Sequence, residues 1–361
     1  MKFPRRDDWK IFLNRNNAFF YVATFNRAYG ELLEEATGFR FKHQAYLCKN
    51  NTLTFYKVEE ELNDADQYFL RLIKSKSPIV RKIYEDGLKY LEREAKLIEK
   101  FSKSVSTKYV VDNYEELYED WSRMFCYLTV IPFTILYAID AALENGEDRE
   151  QYEDVITTFE TFRAQSRRDD FHNVVFPEIW KAAADILGYD NYKDFWYVTP
   201  VELKSIMKSA NLLKEVQKRK RDCTFYDDFE NNQLVFHYDE NIIQEVNLPQ
   251  KKIPKHNFLK GTIACKGVGK GRVSIVNTTD DLHKFQEGDV LVSFNTTPEL
   301  VPCMKKASAI VTNEGGLACH AAVTSRELGV PCIIGTKVAT DMFKDGDMVE
   351  VDANEGIIRK I

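Results

Sequence analysis

One histidine in this chain stands where a ring nitrogen can do nucleophilic chemistry. His320 follows Gly315, Gly316 and Cys319 within TNEGGLACHAAVTSRELGVPCIIG, the stretch from Thr312 to Gly335. Residues from about Cys319 to Leu328 favour helix, which puts His320 in the first turn. A helix N-terminus carries unpaired N–H groups and the positive end of the dipole, so it attracts an anion. It also disfavours a protonated imidazole, which keeps the ring neutral and nucleophilic near neutral pH. Such a nitrogen beside an anion site can attack phosphorus and then hold the phosphoryl group. Phosphoryl transfer asks a protein mainly for positioning and charge stabilisation, so few further groups are needed. Thr312 can orient the ring or bond a phosphate oxygen, and Arg326 can pair with that oxygen's charge. By spacing alone, the same residues also read as an ordinary helix cap with two packing glycines.

The elements that must position this histidine can be read around it. Ala309, Ile310 and Val311 form a short apolar strand that ends at Thr312. Gly315 and Gly316 supply backbone freedom where the chain turns sharply. Ala321, Ala322 and Leu328 can face a core from the helix. Gly329 and Pro331 stop it, and Cys332 to Ile334 resume as a strand.

The segment resembles the phosphohistidine motif of the mobile, swivelling domain in phosphoenolpyruvate-utilising enzymes. That family includes phosphoenolpyruvate synthase, pyruvate phosphate dikinase, Enzyme I of the bacterial sugar phosphotransferase system and rifampin phosphotransferase. The residues that carry the resemblance are Thr312, Gly315, Gly316, Cys319, His320, Ala321, Ala322, Ser325, Arg326, Glu327, Gly329, Val330 and Pro331. It implies that His320 is phosphorylated, that Thr312 and Arg326 act with it, and that Gly315, Gly316 and Cys319 position the phosphate.

The rest of the chain bounds the class. It has 361 residues, enough for two ordinary domains with cores of their own. A formal net charge of −6 speaks against nucleic acid as a partner. No apolar run approaches the roughly 20 residues needed to span a bilayer. Asp7, Asp8, Lys10, Asn14 and Arg15 interrupt any signal-peptide core. Seven cysteines are scattered without a CxxC pair, which suits a reducing compartment and gives no metal signature. A cytoplasmic protein with no membrane partner is expected.

Taken in order, Trp9 to Gly38 has helical spacing of Phe12, Phe19, Phe20, Val22, Phe25, Tyr29, Leu32 and Leu33, read as a core face. Ala45 to Val58 reads as two strands around the turn Lys49–Thr52. Helix is expected from about Glu59 to Glu144, its apolar run Met124–Ala142 being a buried core helix that Pro132 starts or kinks. Helix is expected again over 151–188. Within it lie Arg167, Arg168, Asp169, Asp170 and His172, which can bind an anionic or metal-bearing acceptor or form a plain ion-pair patch. Thr199 and Pro200 start a further helix with Glu202 in its first turn, and Thr224–Tyr238 reads as a second hairpin. Residues 247–260 hold two prolines and several lysines and read as an inter-domain linker. Gly267–Gly271 reads as a tight turn, and the Gly-Asp turns before VLVSF and MVEVD open alternating strands. Thr296, Thr297, Pro298 and Glu299 are expected to cap the next helix, like the family's Thr-x-Pro-acidic element.

The expected fold is thus α+β and multidomain. Residues 1–246 form a mostly α-helical domain with two β-hairpins, residues 247–260 a linker, and residues 261–361 a compact α/β swivelling phosphohistidine domain. Family relatives carry an ATP-grasp domain or a phosphoenolpyruvate-binding barrel on the same chain, and the sequence shows no glycine-rich nucleotide loop to anchor a donor site. Two functions follow. In one, a separate ATP-grasp subunit charges His320 and the helical domain binds a small-molecule acceptor. In the other, the chain is a non-enzymatic phosphocarrier or regulatory module whose helical part docks partners. Either way no cofactor or metal is expected to be held stably by this chain; Mg2+ with ATP or phosphoenolpyruvate belongs at a partner's donor site.

Overall fold

The computed structural model describes residues 9–15, 24–49, 52–192, 195, 198–206, 223–228, 233–237, 254, 256–277, 279–297, 300–316 and 319–361. The chain divides into two compact units, Met1–Leu248 and Pro249–Ile361.

The first unit joins one antiparallel sheet to a set of helices. Its strands are β1 (Trp9–Arg15), β2 (His43–Lys49), β3 (Thr52–Val58), β4 (Cys223–Asp228) and β5 (Gln233–His237), in the order β1-β3-β2-β4-β5. Both predicted hairpins are present, and their inner strands β2 and β4 pair with each other. The helical reading of the chain from Trp9 is corrected at its start. Trp9–Arg15 pairs with β3, with a bulge between Ile11 and Leu13, because Trp9, Ile11 and Phe12 are residue types that favour a strand even where their spacing also fits a helix. Phe19, Phe20 and Val22 lie outside the described residues. Helix begins by Thr24 and passes through a π-helical turn, Ala28–Leu32, into α1 (Leu33–Thr37). Phe25, Tyr29, Leu32 and Leu33 are buried in the core as expected.

The helices that follow are α2 (Glu59–Lys74), α3 (Pro78–Ser102), α4 (Thr107–Asp112), α5 (Tyr114–Phe125), α6 (Ile131–Glu144), α7 (Glu153–Gln165), α8 (Arg168–Leu187) and α9 (Pro200–Ile206). Tyr114 to Glu144 is one continuous helix. Its π-helical turn, Cys126–Val130, lies just before Pro132, where the missing N–H demands a change of hydrogen-bond register. This helix has the length and composition of a membrane span, yet most of it is buried inside the unit. Trp121 stacks on Phe171 at 4.8 Å and meets Phe176 edge-on at 4.9 Å, which locks α5 against α8. Phe25 against Phe55 at 4.7 Å fastens the sheet to the helices. The predicted start of α9 is a reciprocal capping box. Thr199 N–H donates to Glu202 Oε2 at 2.9 Å, and Glu202 N–H donates to Thr199 Oγ1 at 3.3 Å.

The second unit is built on an eight-stranded arrangement ordered β6-β13-β12-β8-β9-β10-β11-β7. The strands are β6 (Phe258–Lys260), β7 (Thr262–Cys265), β8 (Val268–Ile275), β9 (Val290–Ser293), β10 (Ala309–Thr312), β11 (Cys332–Ile334), β12 (Met348–Asp352) and β13 (Ile357–Lys360). The four central strands, β8 to β11, run parallel, and the flanking ones are antiparallel. Short helices α10 (Val301–Met304), α11 (His320–Leu328) and α12 (Ala339–Met342) connect them. Two apolar clusters result: one contains Ala321 and Ala322 of α11, the other Ala339 of α12. β9 and β10 are consequently buried on both sides, so the expectation of an alternating strand is corrected for VLVSF: Val290–Ser293 is buried throughout.

Two further expectations change here. Phe258–Lys260, predicted as the end of the linker, is strand β6 on β13; its apolar pair Phe258–Leu259 completes the sheet edge, with Leu259 buried. Residues 247–253 lie outside the described residues. The run Gly267–Gly271 is no turn, because Val268 to Gly271 lie in β8. A Cβ on Gly269 would meet Ser308 O at 2.2 Å and one on Gly271 would meet Gly288 O at 2.4 Å, so these glycines admit a crossing backbone.

Candidate functional site

The loops at the C-terminal ends of β9, β10 and β11 meet at one place, as expected where parallel strands end together. Asn313 N–H donates to Ser293 O at 3.0 Å and Glu314 N–H to Phe294 O at 3.0 Å, joining the β10 loop to the β9 loop. Thr336 N–H donates to Thr312 O at 3.0 Å and Lys337 N–H to Asn313 O at 2.9 Å, joining it to the β11 loop. Asn313 is fully buried and exchanges hydrogen bonds with Thr340, through Nδ2 to Oγ1 at 2.6 Å and from Thr340 N–H to Oδ1 at 2.9 Å. The floor under the histidine is therefore stitched from three sides.

α11 rises from this floor, and His320 is its first residue. Cys319 is the N-cap: its Sγ accepts from Ala322 N–H at 3.4 Å, in the place of the usual hydroxyl or carboxylate. Gly315 has φ +127°, and a Cβ there would lie 2.6 Å from Cys319 Sγ. Gly316 O accepts from Cys319 N–H at 3.0 Å. The first glycine thus makes room for the cap and the second holds its backbone. Ala321, Ala322 and Ser325 are buried against the sheet, and Gly329, in the left-handed region, ends the helix as the sequence predicts.

The ring of His320 is held by a residue from another loop. His320 Nδ1 lies 2.8 Å from Thr296 Oγ1. Thr296 is buried and follows β9, so it reaches the ring from the neighbouring strand end. The helix cap predicted over Thr296–Glu299 falls partly outside the described residues; α10 itself has Leu300 as N-cap with no side-chain bond. Pro298 and Glu299 lie outside the described residues. Thr312 ends β10. It is fully buried, its Oγ1 donates to Glu314 O at 2.6 Å, and its own carbonyl accepts from Thr336 Oγ1 at 2.8 Å. It braces the glycine turn. Arg326 stands exposed in the last turn of α11, six residues and roughly 9 Å along the axis from His320.

Sequence reasoning misses the partnership of Thr296 with His320. The parallel pairing of β9 with β10 sets the two strand ends side by side, a relation that the residues by themselves do not state. Lys337, also missed, is a non-glycine residue with φ +70° in the third loop.

In the first unit, the predicted polar cluster begins α8. Arg167 is exposed, and its N–H donates to Glu94 Oε2 at 2.7 Å. Glu94, on α3 and almost wholly buried, also accepts from Ser166 Oγ at 3.1 Å. One buried carboxylate thus holds the break between α7 and α8. The side chains of Arg168, Asp169, Asp170 and His172 lie outside the described residues. A separate cleft of about 450 Å3 is lined by Glu34, Arg40, Lys42, His43, Glu60 and Asp64 among others. On its wall His43 Nδ1 lies 2.5 Å from Glu61 Oε1. Burial acts to raise the Glu61 carboxyl, but the bonds from His43 and the N–H groups of His43 and Lys42 outweigh it and lower it. Among the described residues, no group of three His, Cys, Asp or Glu side chains could hold a metal ion.

Comparison with known proteins converges on the histidine unit. Residues 285–356 match the family described as "PEP-utilising enzyme, mobile domain". The C-terminal unit carries the mobile domain of phosphoenolpyruvate-utilising enzymes. A relative from Archaeoglobus fulgidus named "Probable phosphoenolpyruvate synthase" is 53% identical over 101 residues, covering 28% of this chain and 13% of its own. The "Phosphoenolpyruvate synthase" of Pyrococcus furiosus is 50% identical over 103 residues, again 28% of this chain and 13% of its own. The Helicobacter pylori protein of that name is 39% identical over 118 residues, 33% of this chain and 14% of its own. The chain thus matches about one-seventh of the length of these relatives, a share the size of the mobile domain. Among solved structures, the holo-form of Thermococcus kodakaraensis aconitase X aligns at 19% identity over 29% of this chain and 99% of that chain, with a TM-score of 0.24, a likeness too slight to bear on the fold.

Proposed function

We propose that this chain is the phosphohistidine component of a phosphotransferase. His320 takes a phosphoryl group from a donor held on a separate ATP-grasp subunit and passes it to a small-molecule acceptor on the helical unit. The observation that carries the reading is the 2.8 Å contact between His320 Nδ1 and Thr296 Oγ1 at the start of α11. With Nδ1–H donating to that hydroxyl, the lone pair of the neutral ring lies on Nε2. Nε2 attacks the donor's terminal phosphorus, an N–P bond forms, and the P–O bond to the leaving group breaks. The helix N-terminus favours the added negative charge. In the second half-reaction an acceptor hydroxyl oxygen attacks phosphorus and the N–P bond breaks, returning neutral His320.

The helical unit supplies the acceptor's place in this scheme. The cleft beside His43 has both charges on its walls, and an imidazole oriented by Glu61 is suited to take the hydroxyl's proton. Mg2+ and the nucleotide or phosphoenolpyruvate belong to the donor subunit.

The test is to supply the purified chain with ATP and Mg2+, or with phosphoenolpyruvate, and then to add an ATP-grasp protein encoded beside it. No phosphate should enter the chain alone, and one phosphoryl group per chain should enter with the partner. Stoichiometric binding of ATP by the chain alone would refute the division of labour.

A further inference from the structure

Beneath α11 lie two thiols that the phosphoryl chemistry does not use. Cys265 of β7 and Cys332 of β11 are cross-strand partners in an antiparallel pair. The register shifts immediately beyond them, so Ala264 and Cys265 together oppose Cys332 in a bulge. Both cysteines pack in the same apolar cluster, and both are free. Antiparallel Cα partners stand roughly 4.5–5.5 Å apart, inside the span of about 4.4–6.8 Å that a disulfide bridges. The two differ in access. Cys265 is half-buried on an edge strand, whereas Cys332 is wholly buried. Cys332 Sγ also lies 4.0 Å from Ala321 O, the carbonyl of the residue after His320.

We propose that Cys265 and Cys332 are a redox-sensitive dithiol, which a peroxide closes to a disulfide under the first turn of α11. The Cys265 thiolate attacks a peroxide oxygen and becomes a sulfenic acid as the O–O bond breaks, and the departing hydroxide takes up a proton as water. The sulfur of Cys332 then attacks the Cys265 sulfur, the S–O bond breaks, and a second water leaves with the proton from Cys332. Two thiols lose two electrons to one hydrogen peroxide, giving one disulfide and two waters.

Burial pushes the Cys332 thiol up to about 12, so it is a poor nucleophile toward anything in solution. Its role is that of the resolving thiol, where a neighbour fixed across the ladder replaces high concentration. Cys319 is the competing thiol, but its Sγ is engaged as the cap of α11. Once Cys332 Sγ is in a disulfide it has no S–H to offer Ala321 O, and the first turn of the histidine helix loses that contact.

The experiment treats the full chain with hydrogen peroxide, blocks remaining thiols with N-ethylmaleimide, and maps peptides without reduction. A linked pair holding Cys265 and Cys332 is expected, two hydrogens lighter than the separate peptides and released by dithiothreitol. Cys319 should carry maleimide. In Cys265→Ser the linked pair should vanish while the chain stays folded by circular dichroism. Amide exchange at Ala321–Val323 should quicken in the oxidised parent. A linked pair containing Cys319, Cys265 driven to sulfinic acid while Cys332 stays a thiol, or unchanged exchange in that turn would overturn the proposal.

Discussion

Thr296 and His320 are 24 residues apart in sequence, yet Oγ1 and Nδ1 are 2.8 Å apart across two loops. That one contact holds the ring, with Nδ1 turned to the hydroxyl and Nε2 left to act, and it comes from a loop outside the glycine-histidine stretch. Replacing the hydroxyl by a methyl in Thr296→Val keeps the side chain's volume and removes the partner. A neutral hydrogen bond of this kind contributes about 0.5–1.5 kcal/mol. Phosphorylation of the variant should therefore slow roughly three- to tenfold, and the 15N shifts of the ring should show a mixed tautomer. An unchanged rate with an unchanged tautomer would remove Thr296 from the account.

Gly315 tests the turn beneath the ring. Its φ of +127°, and the 2.6 Å that would separate a Cβ from Cys319 Sγ, together forbid a side chain. Gly315→Ala should destabilise the C-terminal unit by roughly 1–3 kcal/mol, read as a lower urea midpoint for that unit's transition. A midpoint equal to the parent's would show that the loop relaxes freely.

Much of this site is legible in the residues themselves. The strand, glycine turn, helix and strand from Ala309 to Ile334 occur where the amino acids place them, because each boundary is set by local chemistry: paired glycines, a cap, and Gly329 with Pro331. The role of Thr296 is hidden because its partner is distant in sequence, and only the parallel pairing of β9 with β10 brings the two together. Strand β1 escapes notice for a different reason. WKIFLNR has residue types that favour a strand and a spacing that fits a helix, and its pairing with the distant β3 decides between them. Gly269 and Gly271 read as a turn because local sequence does not reveal the backbone that crosses them.

Asp66 gives the first unit a pH dependence. Burial raises its carboxyl from 3.8 to about 6, so the folded chain keeps a proton that the unfolded chain has released between those values. Its contribution to stability is fully present below the unfolded value and is lost as pH rises through about 6. Asp66→Asn should accordingly be more stable than the parent by roughly 1–3 kcal/mol at about pH 8, with the gain shrinking toward about pH 4. Equal differences in denaturation midpoint at both ends would assign the effect to something other than this titration.

In the proposed function, His43 separates the two half-reactions. Its ring lies 2.5 Å from Glu61, and in that proposal it has a part in discharge to the acceptor and none in charging. His43→Gln should load phosphate on His320 at the parent's rate and release it to a small-molecule fraction of the source lysate roughly 100-fold more slowly. Equal discharge would move the acceptor site elsewhere in the unit, and slowed charging would contradict the assignment of roles.

The most direct measurement is of the phosphosite itself. The full chain, incubated with a lysate of its source and labelled ATP or phosphoenolpyruvate, should gain one phosphoryl group that is labile in acid and stable in base. Fragmentation should place it on His320, and His320→Ala should stay unlabelled under the same conditions while remaining folded. Equal labelling of His320→Ala, or a phosphoryl group mapped to any other residue, would contradict the account.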